Sequence, residues 1–339
     1  MIRRSDARSD HEAPEAAVAR LTGRDVTGAR RVSGALTEVA RADGTVVMVK
    51  RGDGPDAVRA EAAGLRWLAA AGTVRVPAVL GSDDTWLVTE RVPTGTATRE
   101  AAARLGRGLA ALHAAGAPAF GAPPPGGPGD AYIGPAPMRN SPRDDWPRWY
   151  AEQRVLPYLR RAVDDGTVRA AEAGVIETVC ERLPALAGPP EPPARLHGDL
   201  WNGNVLWGAN TANTADATAT AYATATADTA EATATADTVE RAERSEKADS
   251  AEGTGTVAWI IDPAAHGGHR ETDLAMLRLF GCPYLDDVLE AYREAAPLAP
   301  GWAERVGLHQ LFPLLVHTVL FGRGYAEQAL AVARSALAR

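Results

Sequence analysis

The sequence predicts an α+β fold with two lobes, a small N-terminal antiparallel sheet with one helix and a larger, mainly helical C-terminal lobe. Two observations lead to this expectation. Short extended runs separated by turn signals fill most of the first 92 residues, which is typical of an antiparallel sheet. From Thr98 onward, apolar residues recur at helical spacing instead. We therefore place the lobe boundary after Val92, which gives residues 1–92 and 93–339.

The small lobe begins with three strands in DVTGARRVSGALTEVARADGTVVMVKR. Turns at Ser33-Gly34 and Asp43-Gly44 separate them, and Asp-Gly is a favoured hairpin dipeptide. A helix follows, with Pro55 at its start and Gly72 just past its end. Two more strands, in VPAVLG and TWLVTERV, complete the order β-β-β-α-β-β before a break at Pro93.

The large lobe shows helical spacing around Leu105 to Leu112 and again around Trp146 to Leu156, with a Pro/Gly-rich link at 121–130 between them. Two extended pieces, NVLW and VAWIID, come next, and helices then continue to the C-terminus. The apolar segment Leu311–Phe321 is too short to span a bilayer and is predicted to be a buried helix.

A Thr/Ala-rich segment, residues 209–256, separates the two extended pieces. It has no apolar face and almost no large side chains, so it cannot offset the entropy lost on ordering. We expect a disordered insertion at a hairpin tip that is dispensable for chemistry. The alternative is a weak surface helix over its more charged second half.

Composition excludes several classes of protein. The net charge is −7 and no basic run occurs, which argues against nucleic-acid binding. The two cysteines lack the spacing of a thiolate metal site, and the first residues lack the apolar core of a secretory signal. We expect a cytoplasmic protein, monomeric, without nucleic-acid or membrane partners.

Two charged residues of the small lobe form a candidate ion pair. Lys50 ends the third strand, and Glu61 lies within the apolar stripe of the following helix. A carboxylate that faces the protein interior is costly unless it is paired, and a lysine on the adjacent strand is its natural partner. Taken alone, either residue could simply lie at a solvated edge.

Three polar residues of the large lobe complete a known order. Asp199 and Asn204 lie five residues apart in RLHGDLWNGN, and Asp262 ends the apolar strand WIID. Each could be a turn residue by itself. With the lysine and glutamate before them, they match protein-kinase-like phosphotransferases, in which such residues bind phosphates, accept the acceptor's proton and share Mg²⁺. Carboxylate and carboxamide oxygens suit that ion.

Longer blocks resemble one family, the fructosamine/ketosamine-3-kinases, which are relatives of the aminoglycoside phosphotransferases. LHGDLWNGN and DPAAHGGHRETDLAM (262–276) carry most of the resemblance, and EAAGLRWL, RVPAVL, LGRGLAALH, YIG and DW add to it. The similarity runs from about Val32 to the C-terminus, interrupted by the Thr/Ala-rich segment.

The resemblance implies an ATP- and Mg²⁺-dependent kinase that phosphorylates the 3-hydroxyl of a ketoamine, a fructosamine or ribulosamine that is free or protein-bound. The phosphorylated adduct then breaks down, so the family is associated with protein deglycation. Carried over by position, Asp199 would be the base, Asn204 and Asp262 the metal ligands, and Lys50 with Glu61 the phosphate clamp.

Further nucleotide contacts are expected in the small lobe. Backbone N–H groups of Gly34, Ala35 and Leu36 could cradle phosphate, and Glu90 and Val92 precede the break between the lobes. The turn reads SGALT where the family often has Gly-Gly-x-x-Asn, which leaves nucleotide affinity open.

Candidate acceptor contacts are Trp201, Asn202 and His269. Trp201 offers a flat face for a sugar ring, although core packing explains it equally well. Asn202 replaces the family's usual Ser. His197 is expected to be a satisfied buried histidine, and Asp273 to brace the catalytic loop or to cap the helix of LAMLRLF.

Two other functions compete with a ketoamine kinase. A kinase for another small alcohol, such as an aminoglycoside, an amino-alcohol or homoserine, would share the phosphate machinery. A catalytically inactive kinase-like fold could use the Thr/Ala-rich segment for interactions, but the complete set of charged residues argues against this.

Overall fold

A five-stranded antiparallel sheet forms the N-terminal part of the computed structural model, which describes residues 12–210 and 255–338. Its strands are β1 (Val26–Ser33), β2 (Leu36–Arg41), β3 (Val46–Arg51), β4 (Val79–Ser82) and β5 (Trp86–Glu90). Their order in space is β1-β2-β3-β5-β4. The predicted hairpin between β2 and β3 is confirmed, and Gly44 adopts the left-handed conformation (φ 83°) that this turn needs.

One face of the sheet packs against helix α2 (Pro55–Ala69), the helix that the sequence predicts. Val58, Leu65 and Leu68 of α2 are buried in a cluster that includes Leu87 of β5. Because strand residues alternate between faces, β3 presents Met48 and Lys50 on this side of the sheet. The order β-β-β-α-β-β is therefore confirmed.

The other face of the sheet is covered by helix α1 (Pro14–Thr22), which was not predicted. Ala17 and Val18 are fully buried there against a group of apolar strand residues, namely Val39, Val47, Val49, Trp86 and Val88. The sequence did carry signals for this helix, with Pro14 in the first turn and Gly23 in a left-handed conformation at the end.

Eight helices form most of the C-terminal part that the structure describes. They are α3 (Arg99–Ala114), α4 (Trp146–Tyr150), α5 (Leu156–Asp164), α6 (Ala170–Leu186), α7 (Glu271–Phe280), α8 (Leu285–Ala295), α9 (Trp302–Phe321) and α10 (Arg323–Leu337). Most of the apolar segment within α9 is buried, as predicted, but Phe321 is 65% exposed. Among the described helices, none has the length and apolarity to cross a membrane.

Three strand pairs connect these helices. They are β6 (Asp130–Ile133) with β7 (Ala136–Arg139), β8 (Ala194–Leu196) with β11 (His266–Gly268), and β9 (Val205–Ala209) with β10 (Thr256–Ile260). The first hairpin begins where the sequence predicts only a link. The boundary after Val92 falls between β5 and α3 and stays a prediction.

The Thr/Ala-rich segment starts and ends at one hairpin, as predicted. Ala209 of β9 is paired with Thr256 of β10, and the Asn210 N–H donates to the Gly255 carbonyl at 3.0 Å. These four residues are ordered, so the predicted bounds of disorder are too wide. The predicted disorder of 211–254, and its helical alternative, lie outside the described residues.

Candidate active site

Lys50 and Glu61 form the ion pair that the sequence predicts, between β3 and α2. The Lys50 Nζ lies 2.8 Å from Glu61 Oε2 and 3.3 Å from Asp262 Oδ1. Burial alone would lower the pKa of Lys50, but the two carboxylates outweigh it and raise that pKa. Burial raises the pKa of Glu61, and Lys50 opposes this shift. The lysine thus joins the small lobe to the Asp262 loop.

Asp199 and Asn204 meet in the loop between β8 and β9. The Asn204 Nδ2 donates to the Asp199 carbonyl at 2.9 Å and to its Oδ2 at 3.1 Å. It also lies 3.5 Å from the Asp262 carbonyl oxygen. A single 3-10 turn (Asn202–Asn204) brings the carboxamide back toward the carboxylate. Asp199, Asn204 and Asp262 therefore face one another beside the Lys50–Glu61 pair.

The Asp199 carboxyl has an unusual acidity. Burial raises its pKa to about 7, the nearby Asp262 and Asp273 charges add to the rise, and the Asn204 hydrogen bond opposes it. A carboxylate with a pKa near the working pH is a more effective proton acceptor than an ordinary surface aspartate. The loop therefore supplies a group suited to general-base chemistry.

A buried carboxylate holds this loop in place. Asp273, fully buried in the first turn of α7, accepts the backbone N–H groups of His197 at 2.8 Å and Gly198 at 2.9 Å. His113 Nε2 lies 3.2 Å from the same carboxylate. Burial alone would raise the pKa of Asp273, but these hydrogen bonds lower it. The capping alternative is wrong, because Arg270 occupies the N-cap position of α7.

His197 is also fully buried, and its Nε2 lies 2.9 Å from the Ile261 carbonyl oxygen. Burial lowers the pKa of His197, so a neutral ring bridges the Asp199 loop and the residue before Asp262. Gly198 must be glycine here, because its φ is 82° and a Cβ would lie 2.1 Å from the Ala264 carbonyl oxygen.

Asp262 has a strained backbone, with φ at 50°. L-residues adopt this left-handed conformation at a cost of roughly 1–2 kcal/mol, and aspartate is among the few that tolerate it. The Ile261 N–H donates to the Asn204 carbonyl at 3.0 Å, which fixes the approach to the strained residue. The turn directs the Asp262 side chain, which is half exposed, toward Lys50.

A cavity of about 510 Å³ opens onto these groups. Its lining includes Ala35 of the small lobe and the five predicted charged or amide residues, which are Lys50, Glu61, Asp199, Asn204 and Asp262. The β6–β7 hairpin contributes Tyr132, Gly134 and Pro135 to the lining. The YIG motif contains two of these residues, but no sequence pattern assigned them to the site. Both phosphate and acceptor have room to meet here.

A second cavity of about 270 Å³ adjoins the first and shares Lys50, Glu61 and Asp262 with it. Its walls are mostly apolar and include Val32, Leu36, Met48, Leu87, Val92 and Leu206, with Glu90 at the strand end. Leu36, Glu90 and Val92 were all predicted to contact nucleotide. Gly34 is exposed in the β1–β2 turn and lines neither cavity.

Two of the three candidate acceptor contacts lie away from the cavity. Trp201 is 38% exposed and belongs to the cavity lining. Asn202 is exposed but does not line it.

His269, the third expected acceptor contact, is buried in the core and does not line the cavity. Its ring packs between Trp146 and His309, with centroids 4.9 and 4.8 Å away. The neighbouring Glu271 carboxylate pairs with Arg305, whose Nε donates at 2.9 Å. The side chains of His269 and Glu271 therefore point into the core, where they position the start of α7 against α9.

Comparison with known proteins places the chain in a family. A family model described as fructosamine kinase matches residues 11–240 and 245–339. A Synechocystis protein assigned by name to the ketoamine kinases is 30% identical, over 80% of this chain and 75% of that protein. The chloroplastic protein-ribulosamine 3-kinase of Arabidopsis thaliana is 26% identical, over 84% of this chain and 74% of that protein.

Solved structures agree. A crystal structure from Thermobifida fusca, assigned by name to the fructosamine-3-kinases, has a TM-score of 0.77 and 46% identity, and covers 96% of this chain and 98% of that one. A choline/ethanolamine kinase family protein from Mesorhizobium loti shares the fold alone, with a TM-score of 0.51 and 18% identity over 92% and 89% of the two chains. The chain therefore belongs to the fructosamine kinase family, and it is a phosphotransferase with a protein-kinase-like fold.

Proposed function

We propose that this kinase transfers the γ-phosphoryl group of ATP to the O3 hydroxyl of a ketoamine, and that Asp199 accepts the hydroxyl proton. The observation that carries the proposal is the meeting of Asp199, Asn204 and Asp262 beside the Lys50–Glu61 pair in one cavity. Breakdown of the phosphorylated adduct would then release the amine, which makes protein deglycation the proposed biological outcome.

The two cavities divide the nucleotide between them. The apolar walls of the smaller cavity suit a flat adenine ring. Glu90 and Val92, in the segment that connects the lobes, would lie beside the edge of that ring. The phosphates would then extend toward Lys50, whose ammonium is already held by Glu61. Backbone N–H groups near Ala35, which lines the larger cavity, would contact them from above.

Asn204 and Asp262 fit the requirements of a magnesium site. Asn204 donates through Nδ2, so its Oδ1 oxygen remains the group that can face a cation. The Asp262 carboxylate opens into both cavities. These are the hard oxygen donors that Mg²⁺ prefers. When bound, the ion neutralises phosphate charge, which an electrically negative site could not do unaided.

The chemical step follows from the position of Asp199. The acceptor oxygen forms its bond to the γ-phosphorus, the bond from that phosphorus to the bridging oxygen of ADP breaks, and the hydroxyl proton passes to Asp199. Asn204 holds the Asp199 carboxylate in place through its 3.1 Å hydrogen bond. The raised pKa of Asp199 favours proton acceptance late in this transfer.

The test is a screen of acceptors with ATP and Mg²⁺, in which ADP release is measured for fructosamines, ribulosamines, aminoglycosides, amino-alcohols and homoserine. We expect ketoamine-dependent release, and NMR of the product should place phosphate on O3. Turnover of one of the other alcohols with none of the ketoamines would contradict the proposal.

The matched control for the screen is Asp199→Asn, which keeps the shape of the side chain and removes its basicity. We expect a loss of roughly 10²–10⁴-fold in kcat, while the Kd for ATP measured by calorimetry stays within about threefold of the wild-type value. A variant with near wild-type turnover would remove Asp199 from the mechanism.

A further inference from the structure

Exposed aromatic side chains gather next to the cavity, and the proposed function leaves most of them without a role. Six large apolar side chains are conspicuously exposed in the described part of the chain, and Trp201, Phe280 and Phe321 are three of them, at 38%, 38% and 65%. Together with the rings of His317 and Tyr325 they form one continuous surface, which we call the aromatic patch.

The rings of the aromatic patch contact one another in series. Phe280, at the end of α7, lies edge-on to Trp201 with the centroids 5.8 Å apart. Phe280 also lies 5.1 Å from His317 of α9, and His317 stacks on Phe321 at 5.4 Å. Tyr325 of α10 closes the group at 5.0 Å from His317. Contiguous exposed apolar surface of this kind marks binding sites on soluble proteins.

The aromatic patch begins inside the proposed acceptor site. Trp201 lines the larger cavity with Asp199, which lies two residues before it, and its ring is also the first of the patch. A molecule whose reacting hydroxyl reaches Asp199 can therefore extend over Trp201 toward Phe280 and Phe321 without leaving the protein surface.

The chemistry of a ketoamine suits this path. Three bonds separate its C3 carbon from the amine nitrogen, so the nitrogen lies within about 4 Å of C3 by ordinary bond lengths. A secondary alkylamine is protonated near neutral pH, and aromatic ring faces attract ammonium groups. An apolar substituent on that nitrogen would pack against the rings beyond.

The dimensions of the patch favour a single apolar group over the surface of a folded partner. Its neighbouring ring centroids are only 5.1–5.8 Å apart along the series from Trp201 to Phe321. A stable protein partner needs about 800 Å² on each side, which is more than five partly buried rings present. A single alkyl or aryl group is the matching size.

We propose that the aromatic patch binds the amine substituent of the acceptor and selects ketoamines whose nitrogen carries an apolar group. This inference rests on the proposed function, because it places the sugar hydroxyl at Asp199. It adds a preference that the phosphate-transfer residues cannot supply, since they contact only the sugar and the nucleotide.

The experiment compares two ketoamines with the same sugar, one made from methylamine and one from phenethylamine. Wild-type kcat/KM should be about tenfold higher for the phenethylamine compound, through a lower KM, given the usual strength of aromatic and cation–π contacts. Phe280→Ala and Phe321→Ala should each lower that preference about threefold to fivefold, with kcat and the methylamine kinetics unchanged.

Tyr284→Ala is the matched control, because Tyr284 is 41% exposed but lies against Arg99 rather than in the aromatic patch. It should leave the preference intact. Equal kcat/KM for both ketoamines, or equal losses for both in the Phe variants, would overturn the inference and leave the proposed function standing. Absence of turnover with either compound would overturn both.

Discussion

If Asp199 is the base, as proposed, the protonation state of its carboxyl should be visible in the rate. Because burial raises its pKa to about 7, a falling pH protonates it and removes the acceptor for the hydroxyl proton. We expect kcat/KM for the ketoamine to fall about tenfold per pH unit well below pH 7 and to level off above it. Initial rates between pH 5.5 and 8.5 would check this.

Stability should show the opposite trend for the same residue. A carboxyl whose pKa is higher in the folded state destabilises the fold increasingly as pH rises from its ordinary value near 4 to about 7, and not further. Asp199→Asn should therefore be more stable than the wild type at pH 8 by up to about 4 kcal/mol in urea unfolding, the full linkage value for a pKa that rises from near 4 to about 7. In the kinetic experiment, a kcat/KM that is flat across pH 6–8 would argue against a base of this acidity.

The charged residues of the site could be predicted from the sequence because each has a short, characteristic neighbourhood. HGDLWNGN fixes the distance from Asp199 to Asn204 within one loop, and Glu61 stands out as a carboxylate in an apolar stripe. The acceptor contact predicted for His269 was a poor guide to its position, because a sequence motif does not give the direction in which a side chain points. Only the packing of Trp146 and His309 reveals its direction.

At the scale of elements, α2 is the part on which the site depends most closely, because it carries Glu61. A Cβ at Gly64 would lie 3.2 Å from Ala265 Cβ and 3.2 Å from Pro263 Cγ, in the segment that follows Asp262. The absence of a side chain at Gly64 therefore lets α2 approach that segment and keeps Glu61 near Lys50.

Gly64→Val should push α2 away from the Asp262 segment. We expect the KM for ATP to rise about tenfold as the Lys50–Glu61 pair loosens, and the free energy of unfolding to fall by about 1–3 kcal/mol, the usual cost of overpacking. Steady-state kinetics with varied ATP and chemical unfolding would measure the two effects.

Gly174→Val in α6 is the matched control, because nothing lies within 4 Å of a Cβ built at Gly174. Its unfolding free energy should change by no more than about 0.5 kcal/mol, since valine is no worse than glycine in a helix. Equal effects on ATP binding in the two variants would show that the close approach at Gly64 is unimportant.

Elements with a clear period or a turn signal were predictable, and several others were not recognised, among them the β6–β7 hairpin and α1. The β6–β7 hairpin follows a Pro/Gly-rich stretch, and strands of four residues are too short for alternation to stand out. Helix α1 has only nine residues and two fully buried side chains. Pro14 and Gly23 mark its ends, but a helix this short is stable only when it packs on the sheet, and that tertiary effect is not visible in the local sequence.

At the scale of the whole molecule, ATP and Mg²⁺ should bind to residues of both lobes at once and stabilise them together. With free ligand at 100 times its Kd, the gain is about 2.7 kcal/mol, or roughly 5 °C in Tm for a chain of this size. Scanning calorimetry should show this shift only when both ATP and Mg²⁺ are present.

Asp262→Asn provides the control for this shift, because asparagine also tolerates the left-handed backbone conformation but lacks the carboxylate. Its Tm without ligand should be close to that of the wild type, and the ATP·Mg²⁺ shift should shrink to less than half. A wild-type protein that shows no shift would support a kinase-like fold without catalysis.

Helix α1 decides where the chain can be shortened. Among the described residues, it covers the strand face that carries Val39, Val47 and Val88, on the side of the sheet opposite α2. Trimming through Thr22 would lay bare a flat β surface of valines, and such surfaces recruit further chains. The truncated protein should therefore aggregate during purification, while the rate of phosphate transfer per folded molecule stays unchanged.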